Sequence, residues 1–169
     1  INDSVMAHLD ELQNSGVQVI WQTGKNYFEN IKQQLAEKSP MPALKPTDFI
    51  ADMGAAYRAA DLVISRAGAS SISEFCLIGK PVILVPSPNV AEDHQTKNAM
   101  ALVNRQAAQF VSDAEAPQKL IPLALSTVKD DQILGQLSHN IKLMALRNSA
   151  ETIANEVFAL AEKQANKKR

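Results

Sequence analysis

From Ser65 to Glu74 the chain reads S-R-A-G-A-S-S-I-S-E, a small, polar corner between an apolar run and a helical pattern. Ala69, Ser70 and Ser71 would place backbone N–H groups and hydroxyls at the start of that helix. First-turn N–H groups have no partner within their own helix, so such a corner suits an anion, phosphate oxygens above all. Gly68 is expected to permit an unusual backbone turn there. The plainer reading of the same residues is a serine N-cap. Glu74, three residues past Ser71, is open to two readings as well. It could close a capping box with Ser71. Alternatively, its two acceptor oxygens could receive the hydroxyls of a vicinal diol, such as ribose O2 and O3.

A second polar concentration, S-P-N-V-A-E-D-H-Q-T-K-N-A-M-A-L, follows the apolar run that ends at Pro86. Gln95 and Asn98 both donate and accept, which suits sugar hydroxyls and equally suits the polar start of a helix. Glu92, Asp93 and His94 raise acid–base work or a metal. Adjacent residues at a helix start rarely converge on one ion, and no second histidine stands at ligand spacing, so no metal is expected. There is no GxGxxG and no Walker A pattern. His8, His94 and His139 fall on separate elements, and neither Ser70 nor Ser71 has a visible partner that would make it a nucleophile. Cys76 is the single cysteine. It excludes an intrachain disulfide and a cysteine-based zinc cage, and it reads as a small buried residue beside Phe75 and Leu77.

The elements that must position these residues alternate. An apolar stripe at Val5, Met6, Leu9 and Leu12 predicts a helix over 4–14, ended by Gly16. Val17 to Gln22 reads as a strand, and Tyr27, Phe28, Ile31 and Leu35 as the next helix. The three prolines between Ser39 and Pro46 predict a loop, with a short strand at Asp48 to Ala51. A helical turn around Ala55 to Ala60, a strand over Asp61 to Ser65 and a helix over Ser70 to Ile78 follow. Gly79-Lys80-Pro81 makes a turn into a strand ending at Val85. A helix over His94 to Gln106 and a strand at Ala108 to Val111 complete the alternation. Beyond Ala116 two or three helices are expected, with breaks near Lys129 and Asn148. This pattern implies βαβ units, and so an α/β, Rossmann-like parallel sheet covered by helices on both faces.

With 169 residues, 46% of them hydrophobic, one well-packed domain is expected over 1–169, with a C-terminal helix and basic tail over 149–169. The net charge of -1 provides no field that would attract nucleic acid or an anionic membrane, and no nucleic-acid partner is expected. No run is apolar and long enough to span a bilayer. The chain starts at Ile1, inside a helical pattern, which suggests a piece of a longer protein.

The stretch D-L-V-I-S-R-A-G-A-S-S-I-S-E-F-C-L-I-G-K-P-V-I-L-V-P-S-P-N-V-A-E-D-H-Q-T-K-N-A-M-A-L-V resembles the donor half of the MurG family of bacterial GlcNAc transferases. V-I-W-Q-T-G-K-N-Y-F and D-F-I-A-D-M-G-A-A-Y-R-A-A extend the likeness over nearly the whole chain. The resemblance implies the C-terminal half of a two-domain GT-B glycosyltransferase, independent of metal and cofactor. The reaction would be inverting transfer of GlcNAc from UDP-GlcNAc to undecaprenyl-pyrophosphoryl-MurNAc-pentapeptide, lipid I, giving lipid II. It further implies that the main chain of Ile50 reads the uracil edge and that Glu74 holds the ribose hydroxyls. Ala69, Ser70, Ser71, Ile72 and Ser73 would face the phosphates and the sugar. Gln95 would bond the GlcNAc hydroxyls, with His94 beside it.

The family has a glycine-rich loop and a strand before the residues where this chain starts, and an N-terminal acceptor half. The general base is expected in that half, so no residue here is assigned as catalytic. Lipid I and the cytoplasmic face of the inner membrane would be reached through the rest of the parent protein. In a 3-2-1-4-5-6 sheet the preceding strand would lie between the strands at Val17 and Asp61, and those two should then not pair directly. The face of the last helix carrying Ile153, Val157, Leu160 and Ala161 raises self-association. Three alternatives stay open: the soluble subunit of a split dolichol-linked GlcNAc transferase, a UDP-GlcNAc 2-epimerase, and a non-catalytic nucleotide-sugar-binding module. The extended A-E-D-H-Q-T-K-N-A segment favours the bacterial family.

Overall fold

A computed structural model describes residues 1–89 and 93–167. Helices α1 (Asn2–Ala7) and α2 (Leu9–Asn14) lead into β1 (Val19–Gln22), α3 (Lys25–Ala36) and β2 (Leu44–Thr47). Then come α4 (Met53–Ala59), β3 (Val63–Ser65), α5 (Ala69–Ile78), β4 (Val82–Leu84), α6 (His94–Val103) and β5 (Gln109–Phe110). Three helices follow, α7 (Ala116–Val128), α8 (Asp131–Lys142) and α9 (Ser149–Lys167). Every strand pair is parallel, and the fold is α/β and Rossmann-like.

The strands form two sheets, β1–β2 and β3–β4–β5, and β1 and β3 are not hydrogen-bonded to each other. In the expected order, β2, β1, β3, β4 and β5 take places 3, 2, 4, 5 and 6. The apolar run at β4 is buried on both faces. Val82 and Leu84 join Phe75 and Cys76 of α5, Ala99 and Leu102 of α6 and Ile141 of α8 in one core cluster. Ile83 and Val85 turn the other way, onto Leu120 and Ala124 of α7. Helix α7 also sends Ile121 and Leu125 into a third cluster with Val5, Leu9, Trp21, Ile31 and Leu44. One helix thus packs against both sheets.

Two expectations need correction. The proline-rich stretch is not all loop: β2 spans Leu44–Thr47, and Asp48 to Ala51 is its exit rather than a strand. The carbonyls of Ala43 and Thr47 accept from the N–H groups of Val19 and Thr23, so alternate residues of β2 face β1. Pro46 falls on the opposite side, at the sheet edge, where its missing N–H breaks no ladder bond. The first helix is also interrupted, at His8, whose backbone leaves the helical region and whose Nδ1 pairs with the Ser4 carbonyl.

The Gly79-Lys80-Pro81 turn has a steric cause. Gly79 ends α5 with φ 69°, and a Cβ there would lie 2.1 Å from Cε of Lys142. The Lys80 ammonium donates to the Ala60 carbonyl and fixes the turn against the end of α4. On α9, Ile153, Val157, Phe158 and Leu160 are all exposed. Among the described residues, no helix is long and apolar enough to cross a membrane.

Candidate functional site

Parallel pairing brings the carboxyl ends of the strands to one edge of each sheet, and the corner after β3 lies on it. Helix α5 begins at Ala69 with Gly68 in the capping position and no side-chain cap. The Gly68 carbonyl accepts from the N–H of Ile72 at 3.0 Å. The N–H groups of Ala69, Ser70 and Ser71 have no partner among the described residues. Ala69 and Ser70 are exposed, and Ser71 is half-buried. Ser73 bonds back to the Ala69 carbonyl, while Ile72 packs against the core. Gly68 has φ -69° and ψ 143°, an ordinary extended conformation, so the unusual turn expected there does not occur. A Cβ at Gly68 would approach nothing nearer than Ser71 Oγ, at 3.9 Å. What the glycine provides is uncrowded access to the N–H groups.

The capping box does not form, because the helix starts two residues ahead of Ser71. The Glu74 carboxylate is exposed and accepts instead from the Tyr57 hydroxyl of α4, at 3.2 Å. Burial, reinforced by the hydrogen bond to Glu74 and its charge, pushes the Tyr57 phenol up to about 12. The ring meets Phe75 edge to face, with centroids 5.6 Å apart. Phe75 is 1% exposed, so the phenol is anchored on the core.

Ala67, fully buried, is held from α6 on both sides of its backbone. Gln95 Oε1 accepts from the Ala67 N–H at 3.2 Å and from the Ser87 N–H at 2.9 Å. Asn98 Nδ2 donates to the Ala67 carbonyl at 3.2 Å. These bonds satisfy groups that would otherwise be orphaned in the core. They leave Gln95 Nε2 with no hydrogen bond among the described residues, beside the start of α5. Arg66 spans the neighbouring strand ends, donating to the carbonyls of Val85 and Pro86 and pairing with Asp113.

At the corner after β2, the Ile50 N–H donates to Gln22 Oε1 at 3.0 Å. Asp52 caps α4 by accepting from the Ala55 N–H at 2.8 Å. His94 opens α6 and is exposed, following Asp93 in a left-handed conformation. Glu92, considered above with them, lies outside the described residues. Among those residues no group of acidic, histidine and cysteine side chains could hold a metal. Surface hollows of about 310 and 630 Å3 lie along α1, α2 and α7, away from this edge.

The family model of the glycosyltransferase family 28 C-terminal domain matches residues 1–154. The chain belongs to this family. A family 28 relative from Phocaeicola vulgatus, named UDP-N-acetylglucosamine--N-acetylmuramyl-(pentapeptide) pyrophosphoryl-undecaprenol N-acetylglucosamine transferase, is 58% identical over 163 residues. The aligned part is 96% of this chain and 43% of that relative. The protein of the same name from Bacteroides thetaiotaomicron is also 58% identical, over 96% of this chain and 44% of its own length. The chain therefore spans less than half the length of these relatives. The crystal structure of Acinetobacter baumannii MurG superposes with a TM-score of 0.75 at 25% identity, over 92% of this chain and 49% of that one.

Within this family 28 domain, the structure joins Gln95 to the β3–α5 corner and leaves Ile50 on a separate strand end. Sequence reasoning passed over Tyr57, Gln22 and Arg66 as participants. Tyr57 offered one local signal, an aromatic with a polar tip in an otherwise small, alanine-rich turn.

Proposed function

We propose that this chain is the UDP-GlcNAc-binding half of an inverting transferase that delivers GlcNAc to an undecaprenyl-pyrophosphoryl-MurNAc-pentapeptide. The observation that carries it is the uncapped start of α5, with Glu74 one turn in and Gln95 alongside. The free N–H groups of Ala69, Ser70 and Ser71 suit the diphosphate, with the hydroxyls of Ser70 and Ser71 as further donors. Glu74 accepts from the ribose hydroxyls. Gln95 turns its unused amide donors to the hydroxyls of the sugar, and His94 stands next to it. The Ile50 N–H is engaged by Gln22, so its carbonyl is the group left to accept from a uracil N–H. The relatives named for this reaction support the choice of donor and acceptor.

The same geometry bears on the chemistry. As the bond from the anomeric carbon to the diphosphate breaks, negative charge grows on the departing phosphate oxygen. The positive end of α5 and its fixed N–H groups stabilise that charge without reorganising. In an inverting displacement the acceptor hydroxyl must lose a proton to a base. We assign that base, the lipid acceptor site and attachment at the cytoplasmic face of the membrane to the remainder of the protein.

Calorimetric titration with UDP-GlcNAc, UDP and ADP tests the reading. Binding of both uridine ligands and not of ADP is expected, weakened by Glu74→Ala. Equal binding of ADP and UDP would remove the base reading at Ile50. No binding of any uridine ligand to the folded, full-length protein would remove the donor site.

A further inference from the structure

We infer that Tyr57 is a positioning residue, whose hydroxyl holds the Glu74 carboxylate in the orientation that presents it to the ribose of a nucleoside diphosphate. The inference rests on the donor-site reading given above. Glu74 is exposed and lies on the surface of α5, where a lone glutamate samples several rotamers. The Tyr57 hydroxyl donates to Oε2 and selects one of them. Its ring cannot drift, because it stands edge-on to Phe75, the core residue next to Glu74 in the chain. The donor is dependable as well, since the phenol stays protonated far above neutral pH.

The stoichiometry of the carboxylate permits the role. An ionised carboxylate offers about four acceptor positions. Tyr57 takes one on Oε2, leaving Oε1 and the remaining Oε2 position for two ribose hydroxyls. Tyr57 also links two parts of the site. It rides on α4, which Asp52 caps just after the Ile50 corner, so the base-side strand end and the ribose carboxylate are connected through one short helix. A side chain that served only to fill space would need the ring alone, and the hydroxyl is the part that reaches Glu74.

Tyr57→Phe removes the hydroxyl and keeps the ring against Phe75. The ligands are UDP, 2',3'-dideoxy-UDP and ADP, titrated into the full-length wild-type protein and the variant, with a melting curve for each. Ordering a freed side chain on binding should cost UDP about two- to tenfold in affinity, while dideoxy-UDP binds wild type and variant alike. A loss shared equally by both ligands, or absent from both, overturns the positioning role. A wild-type protein that binds UDP no better than dideoxy-UDP overturns the ribose role of Glu74, and Tyr57 falls with it. Binding of ADP as tightly as UDP, with the ribose dependence intact, would remove the uridine reading and leave Tyr57 in place.

Discussion

The corners after β1 and after β3 are built to one plan and differ in what surrounds them. Just past each strand comes a residue held on both backbone groups, then a glycine, then a helix without a side-chain cap. Thr23 is held by the Thr47 carbonyl and by Asn2, and Ala67 by Gln95 and Asn98. The first turn of α3 carries Lys25, Asn26 and Tyr27, whereas that of α5 carries Ala69, Ser70 and Ser71. Six residues past each glycine stand Asn30, paired with Gln34 of its own helix, and Glu74, paired with Tyr57 of another. An uncapped helix start is therefore not what marks a site. Small side chains that let a ligand reach the N–H groups, and a carboxylate oriented from outside its helix, distinguish the second corner.

That contrast can be broken most directly at the sixth residue. Hydrogen bonds to a charged group lost at Glu74→Ala should weaken UDP binding about ten- to hundredfold by calorimetry, while Asn30→Ala stays within about twofold. Similar losses in both variants would abolish the distinction. The glycines come next. Gly24 has φ 84° and ψ 147°, a region nearly closed to other residues, so Gly24→Ala should cost about 1–3 kcal/mol in denaturant unfolding. Gly68→Ala, at an ordinary backbone conformation, should stay within about 0.5 kcal/mol yet weaken UDP binding by crowding the approach. A large stability loss at Gly68 would show that the backbone there is strained after all.

The clamp on Ala67 gives a smaller effect. Asn98→Ala removes one bond to a buried carbonyl and should cost about 1 kcal/mol in the unfolding free energy. A variant as stable as wild type would show that the clamp is replaceable by solvent. The last effect is on pH dependence. Tyr57 is raised from 10.0 to about 12, so between those values the folded chain holds a proton that the unfolded chain has released. Stability should then be fully supported below pH 10 and decline as pH rises toward 12, with a shallower decline in Tyr57→Phe. Parallel slopes in the two proteins would dissociate Tyr57 from the effect.

The sequence was a good guide wherever one element decides its own structure. The apolar run between Pro81 and Pro86 reads as a buried strand and is one, and the breaks near Lys129 and Asn148 fall where α7 ends and where α9 begins. It misled where a tertiary setting decides. Pro46 looks like a loop residue until β2 is known to lie at an edge. Gly68 looks like a turn glycine, although its φ is one any residue adopts, because the absence of a side chain matters there more than backbone freedom. Gln95 and Asn98 were legible as polar residues at a helix start, but not as the side chains that secure Ala67. The pairing of Tyr57 with Glu74 joins residues 17 positions apart on different helices, and no periodicity carries that information.

Helix α7 has a consequence for how the chain comes apart. Leu120 and Ala124 press on β4, while Ile121 and Leu125, each a single residue further along, press on the β1–β2 side. Two sheets with no hydrogen bond between them are thereby tied to one cooperative unit, since neither can shed its cover without uncovering the other. Amide hydrogens of Trp21 and Ile83, in different sheets, should exchange with solvent through the same opening event. A helix shared by both sheets thus sets the frequency with which the candidate ligand edge dissolves.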